Sequence, residues 1–297
     1  MNTGRTRSHR TPAIVALACA GSLWGTSFIF GKIALRELDP EHMLIYRFLF
    51  ASLALAPLLF SARYRIAKRD LWLFMVTGFL YVPASFIVQF EGLERTTASR
   101  AALIVGAMPL AIALLSVLFD HERLGWKRWG ALVVSTAGVA LIIGNPGKEG
   151  SVAGDLLVLA SLLGSVGWIL PARHLTRRYS AITATTWIIL CGTVLLIPIA
   201  LAWRGVPPIH LSAETWLAVA AQGLLCTVAT TVLWNWGVSR VETSTAGIFV
   251  NLEPLVGVLL GIMLLHESVG KVTLAGGGLI VASALFLSFH PVPEHKN

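Results

Sequence analysis

Apolar positions along this chain fall in long uncharged runs, without the alternating pattern of barrel strands. The runs occupy 11–31, 48–62, 71–90, 101–119, 129–147, 156–172, 179–203, 215–239, 243–252 with 254–266, and 272–293. Since ~20 helical residues cross ~30 Å of hydrocarbon, the pattern predicts ten transmembrane helices. Helices are required because lipid offers no partner to free backbone groups and the dyad pattern of barrel strands is missing. Glu253 alone interrupts the ninth run, and the second extends back to about Met43, placing Arg47 one turn inside its end. The first run lacks a small-residue cleavage pattern and leads straight into further spans, so it reads as a retained helix.

The pattern repeats. Gly92–Gly125 aligns without gaps on Gly237–Gly270, 145 positions later, with twelve identities in 34 positions, among them Arg95 with Arg240, Pro109 with Pro254 and His121-Glu122 with His266-Glu267. An internal repeat of half the chain length sets the organisation: a short arm over 1–10, a first repeat over 11–147, a second over 152–290 and a tail over 291–297. Each repeat holds five spans, and an odd number makes the second enter the membrane from the opposite side. Inverted repeats give many secondary transporters two related conformations. The predicted fold class is therefore all-α and polytopic, ten helices in two inverted five-helix bundles around a central cavity.

Composition agrees: 56% hydrophobic against 13% charged residues leaves too little polar surface to cover a soluble core of 297 residues. The net charge of +8 is unevenly placed. With the N-terminus inside, the inner segments carry fifteen Lys and Arg, including Arg5, Arg7, Arg10, Arg123 and Lys296. The outer segments carry six, Arg36, Arg95, Arg100, Lys148, Arg204 and Lys271. The bias predicts both termini in the cytoplasm, and makes the basic clusters topology signals and lipid contacts rather than a nucleic-acid surface. Cys19, Cys191 and Cys226 lie in apolar runs without metal-ligand spacing and read as small buried hydrophobes.

Polar residues at mid-membrane belong in the bundle interior or a wet cavity. Helical spacing puts Gly78, Tyr81, Ser85 and Gln89 on one face of the third span, with Gly223, Cys226, Thr230 and Trp234 equivalent in the eighth. Ser244, Gly247, Asn251 and Pro254 form a stripe on the ninth, matched by Ser99, Ala102, Gly106 and Pro109 on the fourth. The glycines suit close helix packing, whereas Gln89, Trp234 and Asn251 suit a cavity with Trp24 and Tyr81 as aromatic walls. Candidate substrate residues are thus Trp24, Tyr81, Ser85, Gln89, Thr230, Trp234 and Asn251. Pro109 and Pro254 each free a carbonyl at mid-span, as a hinge or a fixed bend. Glu253, too deep to snorkel, is either paired or protonated, with a coupling proton as the functional reading. Asn251 and Glu253, two residues apart, point to opposite sides and do not both line one narrow cavity. Lys32 and Arg47 are expected to anchor near the outer boundary, Asp155 to sit in the outer interface at a helix N-terminus, and Glu122 and Glu267 to cap or pair at span ends.

Together these residues carry a resemblance. Trp24-Gly25-Thr26-Ser27-Phe28, Arg47-Phe48, Pro109 with Glu122-Arg123-Leu124, and Glu253-Pro254 with Glu267-Ser268 resemble recurrent positions of EamA-type members of the drug/metabolite transporter superfamily, from about Thr11 to Leu287. The sixth span, with Leu163-Gly164-Ser165-Val166, Trp168 and Pro171, departs from the family's usual Trp-Ala step. The resemblance implies a ten-helix basket that moves amino acids, other small metabolites or drugs, usually outward. Enzyme signatures fail: glycines at 125 and 270 stand where a zinc protease needs its second histidine, and Gly147-Lys148 lacks a phosphate loop. The expectation is a secondary transporter of the bacterial inner membrane. It would be an exporter of small polar or amphipathic metabolites such as amino acids, with no cofactor or metal, and with a proton or counter-substrate as coupling alternatives. A lipid or lipid-linked sugar flippase is the alternative. Gly21 and Gly25 offer a small-residue contact, internal or between the copies of a homodimer.

Overall fold

The computed structural model describes residues 10–61, 63, 65–119, 125–241 and 243–289. Expectations on Arg5, Arg7, His121, Glu122, Arg123, Leu124 and Lys296, and on the side chains of Arg10 and Ser244, lie outside the described residues. Among those residues nine helical segments are long and apolar enough to cross a membrane, and a tenth apolar helix, Lys271–Leu287, is shorter. They are α1 (Arg10–Ala34), α2 (Pro40–Leu55), α3 (Lys68–Arg95), α4 in two pieces (Ala98–Val105 and Met108–Phe119), α5 (Trp126–Gly144), α6 (Val152–Gly167 and Ile169–Thr176), α7 (Ala181–Arg204), α8 (Ala213–Val238), α9 (Thr243–Val250 and Leu252–Leu265) and α10 (Lys271–Phe289).

Local chemistry sets several boundaries. Thr97, Ser151, Ser180 and Ser212 are N-caps whose hydroxyls accept from the N–H three residues on, satisfying donors that a helix start leaves free. Pro40 opens α2 in the first turn, where a missing N–H costs nothing. Gly205, at φ 78°, turns the chain out of α7 in a conformation that favours glycine.

The helix pairing is itself two-fold. Span α1 packs on α8 and α9, and its counterpart α6 on α3 and α4; α2 packs on α7 and α8, and α7 on α2 and α3. Glycines make the close approaches. A Cβ on Gly78 would lie 2.6 Å from the Gly192 nitrogen, and at the repeat-equivalent place one on Gly223 would lie 2.5 Å from the Arg47 carbonyl oxygen. The Gly21 and Gly25 face is internal, with Gly21 against Phe249 and Leu252 and Gly25 against Glu253, Val256 and Gly257 of α9.

Both α3 and α8 contain a π-helical stretch, Leu80–Ile87 and Leu224–Ala229, at equivalent depth. Pro83, inside the first, removes an N–H from the regular ladder. In each stretch a hydroxyl donates to the carbonyl five residues back: Ser85 Oγ to Leu80 O at 2.8 Å and Thr227 Oγ1 to Gln222 O at 2.9 Å. Spans α4 and α9 break instead, at Gly106–Ala107 and at Asn251, and the prolines begin the halves that follow.

One end of the bundle, which carries the loops after α1, α3, α5, α7 and α9, is sealed by contacts between the repeats. Glu267 accepts from Ala98 N at 2.6 Å, Ser99 N at 2.9 Å and Ser99 Oγ at 2.5 Å. Arg204 reaches Glu41 at 3.1 Å and Glu91 at 3.0 Å, and Tyr46 donates to Pro208 O at 2.8 Å. Arg100 pairs with Asp155 and binds the carbonyls of Ile142 and Asn145. Asp155, in the first turn of α6 where the sequence places it, is fully buried in this pair and accepts from Thr96 at 2.6 Å. The opposite end, where Arg10 and Phe289 lie, carries among the described residues one such cluster, Asp70 with Arg178 at 2.8 Å and Tyr179 at 2.6 Å.

Candidate functional site

Between the halves lies a cavity of about 360 Å³, walled by residues from α1, α2, α3, α4, α6, α8 and α9. Two ring pairs face it: Trp24 with Trp234, from α1 and α8, and Tyr81 with Trp168, from α3 and α6, each with centroids 4.9 Å apart. Because α1 corresponds to α6 and α8 to α3, the two pairs sit on repeat-related helices, though at different positions along them: at the offset of 145 Trp24 falls on Ile169, Tyr81 on Cys226 and Trp234 on Gln89. Trp168 and Ile169 of α6, Ile112 of α4 and Trp234 of α8 stand on the halves that run away from the sealed end.

The polar chemistry comes from two charges. The guanidinium of Arg47, only 3% exposed, donates from Nε to Thr227 Oγ1 at 3.1 Å and from Nη1 to Ser27 Oγ at 3.4 Å. It lies 4.5 Å from the Phe86 ring centroid, in cation–π contact, with the rings of Phe48 and Phe90 also near. Glu253, across the cavity on α9, makes no hydrogen bond or ion pair among the described residues. Ser27, Gln89, Ser165 and Cys226 add to the polar wall, Cys226 against Thr26 Oγ1 at 3.3 Å.

Of the residues proposed from sequence, Trp24, Tyr81, Gln89, Trp234 and Glu253 line this cavity. Ser85, Thr230 and Asn251 do not, and each has a backbone partner instead. Ser85 serves the Leu80 carbonyl and packs on Gly164, Thr230 donates to Cys226 O at 2.8 Å, and Asn251 donates to Gly247 O and Ile248 O at 3.3 and 3.2 Å. The π turns explain the first two: they advance the register, so a face drawn at 3.6 residues per turn slips. Asn251 and Glu253 do point apart, and it is Glu253 that meets the cavity. Pro109 and Pro254 stand behind the wall, and Pro254 packs on Gly106 so that the two helix breaks touch. Proline has no N–H for the carbonyl four residues back, which leaves those of Val105 and Val250, both cavity residues, without that partner.

Arg47 is a correction. It does not anchor at the outer boundary, because α2 begins at Pro40 rather than near Met43, and seven residues of helix carry Arg47 about 10 Å inward. The signal was available in Asp39-Pro40, a helix start that the charged Glu41 and His42 disguise. Lys32, by contrast, ends α1 and reaches the Glu94 carbonyl at 3.3 Å.

The EamA-like transporter family matches residues 11–144 and 152–289. The uncharacterized transporter YcxC of Bacillus subtilis is 30% identical over 288 residues, covering 93% of this chain and 92% of that protein. An uncharacterized transporter of Archaeoglobus fulgidus is 30% identical over 280 residues, covering 92% and 95%. A probable terminal-alkyne amino-acid exporter of Streptantibioticus cattleyicolor is 25% identical over 284 residues, covering 93% of each. A solved crystal structure shares the fold with a TM-score of 0.67 at 18% identity, covering 95% of this chain and 98% of its own. The family model matches both five-helix repeats of this chain, and the chain belongs to the EamA-like transporters.

Proposed function

We propose that the protein exports small polar or amphipathic metabolites, amino acids among them, by alternating access across the bacterial inner membrane, with both termini in the cytoplasm. The observation that carries this reading is a cavity of about 360 Å³, within the range of about 300–1,000 Å³ of small-molecule sites, in a bundle whose repeats are tied together at one end by Glu267, Arg204 and Arg100. Its rings sit on repeat-related helices, as a rocking of one bundle against the other requires. The basic-residue bias supports an outer position for the sealed end, and the probable amino-acid exporter among the relatives supports the direction. Glu253 is the candidate coupling carboxylate, and Pro109 and Pro254 the candidate flexing points.

One observation favours a second reading, lipid or lipid-linked sugar flipping: an aliphatic groove of about 740 Å³ between α4 and α6, lined by leucines such as Leu110, Leu114 and Leu159. Flux measured in liposomes with a panel of amino acids, sugars and labelled lipids separates the two. Export predicts amino-acid flux from the side of the termini; lipid scrambling without solute flux sinks that reading in favour of the flippase.

A further inference from the structure

Repeat symmetry gives a way to ask which cavity residues the scaffold needs. At the offset of 145, Arg47 corresponds to Gly192 and Glu253 to Met108. The same position in the other half is therefore a glycine or a thioether, so each charge belongs to one repeat alone. The rings are likewise particular to their repeats, with Trp24 against Ile169, Tyr81 against Cys226 and Trp234 against Gln89 at the same offset, so the cavity wall differs between the halves while the helix pairing is shared.

Both charges are also incompletely used. A guanidinium carries five N–H donors, and the two contacts of Arg47 leave three, at a residue whose side chain is otherwise enclosed. Glu253 has no partner among the described residues, and the two groups form no direct ion pair although they border the same cavity. A guanidinium and a carboxyl that share a desolvated space without closing on each other leave room for a ligand that carries both complements and that, by its ammonium, favours the carboxylate form of Glu253.

We infer that Arg47 and Glu253 form a two-ended clamp for the head of a zwitterion, Arg47 taking a carboxylate and Glu253 a free ammonium, while the ring pairs hold an apolar or aromatic side chain. The inference rests on the transport reading of this cavity and deepens it: a substrate must present both charges, and capping either one removes it from the substrate class. Arg47 suits the carboxylate end because its planar fork bonds two oxygens at once. The Trp24–Trp234 and Tyr81–Trp168 pairs supply flat apolar area beside the clamp.

The test uses full-length purified protein and three probes: phenylalanine, N-acetylphenylalanine, which lacks the ammonium, and phenethylamine, which lacks the carboxylate. Binding is read from quenching of tryptophan fluorescence, since Trp24, Trp168 and Trp234 line the cavity, and flux is read separately in liposomes. Wild-type protein should bind phenylalanine about tenfold or more tightly than either analogue, the loss expected for one charged hydrogen bond. Glu253→Gln should bring N-acetylphenylalanine level with phenylalanine, and Arg47→Gln should do the same for phenethylamine. Should Arg47→Gln fail to fold, the wild-type ranking and Glu253→Gln decide alone. An analogue that binds as well as phenylalanine, or an unchanged ranking in Glu253→Gln, overturns the clamp, as does failure of phenylalanine to bind. Selective binding without flux leaves the clamp standing and removes the transport reading; flux without charge selectivity does the reverse.

Discussion

Arg47 and Glu253 concentrate the chemistry of the cavity in two side chains, and each makes a different demand. A carboxyl at this depth is costly to keep charged, so its protonation and its ligand are tied to the state of the cavity. If Glu253 carries a coupling proton, Glu253→Gln should keep substrate exchange, at reduced affinity, while flux loses its response to a pH gradient across the liposome. Flux in that variant that still follows the gradient would make Glu253 a binding residue only. Asn251 makes the contrast. Its amide serves the last carbonyls of the first half of α9, so Asn251→Ala should lower stability by about 1 kcal/mol while leaving affinity nearly unchanged. Thermal unfolding alongside fluorescence titration checks both, and a tenfold loss of affinity at unchanged stability would put Asn251 back in the cavity.

At the scale of elements, apolar runs announce the spans and the aligned prolines announce the breaks in α4 and α9, because both follow from backbone chemistry written in residue type. Register within a span is harder to read. Tyr81 and Gln89 reach the cavity while Ser85 of the same predicted face turns to Leu80, since the π stretch inserts its extra residue between them. Pro83 was the clue in α3; in α8 no proline marks the equivalent stretch, and only Thr227, bonded five residues back, betrays it afterwards. Arg47 escaped for another reason: a run of uncharged residues is a poor ruler for a helix whose first turns are charged and buried. Close packing then couples elements to the site. Gly223→Ala would set a Cβ 2.5 Å from the Arg47 carbonyl oxygen and 2.7 Å from the Phe50 Cβ, forcing α2 and its guanidinium to move. The expected cost is about 1–3 kcal/mol with a fall in substrate affinity. Gly278→Ala, on α10 where nothing lies within 4 Å of a built Cβ, should be neutral or stabilising in the same unfolding assay. Equal effects at both positions would mean that helix propensity, not the α2–α8 approach, governs the response.

For the whole molecule, the contacts that tie the repeats together at the end distal to Arg10 and Phe289 are those the described residues define. Among them Glu267 is placed to act as a latch. It stands just past α9 of the second repeat, and its carboxylate closes on the first backbone N–H groups of α4 in the first. Three donors and a favourable helix terminus hold it, and the neighbouring Ser268 adds weaker contacts to Glu149 at 3.3 and 3.4 Å. Alternating access requires this junction to part when the cavity opens to the sealed end. Glu267→Gln removes the charge and turns an amide N–H₂ toward groups that are themselves donors, a loss of about 2 kcal/mol or roughly 30-fold in the balance between closed and open forms. With Gln89→Cys in a cysteine-free background, a membrane-impermeant thiol reagent should label wild-type protein from the side of the termini and label the Glu267→Gln variant from the sealed side as well. Labelling that stays one-sided in a folded variant would mean that Arg204, with its hold on Glu41 and Glu91, keeps that end shut without help from Glu267.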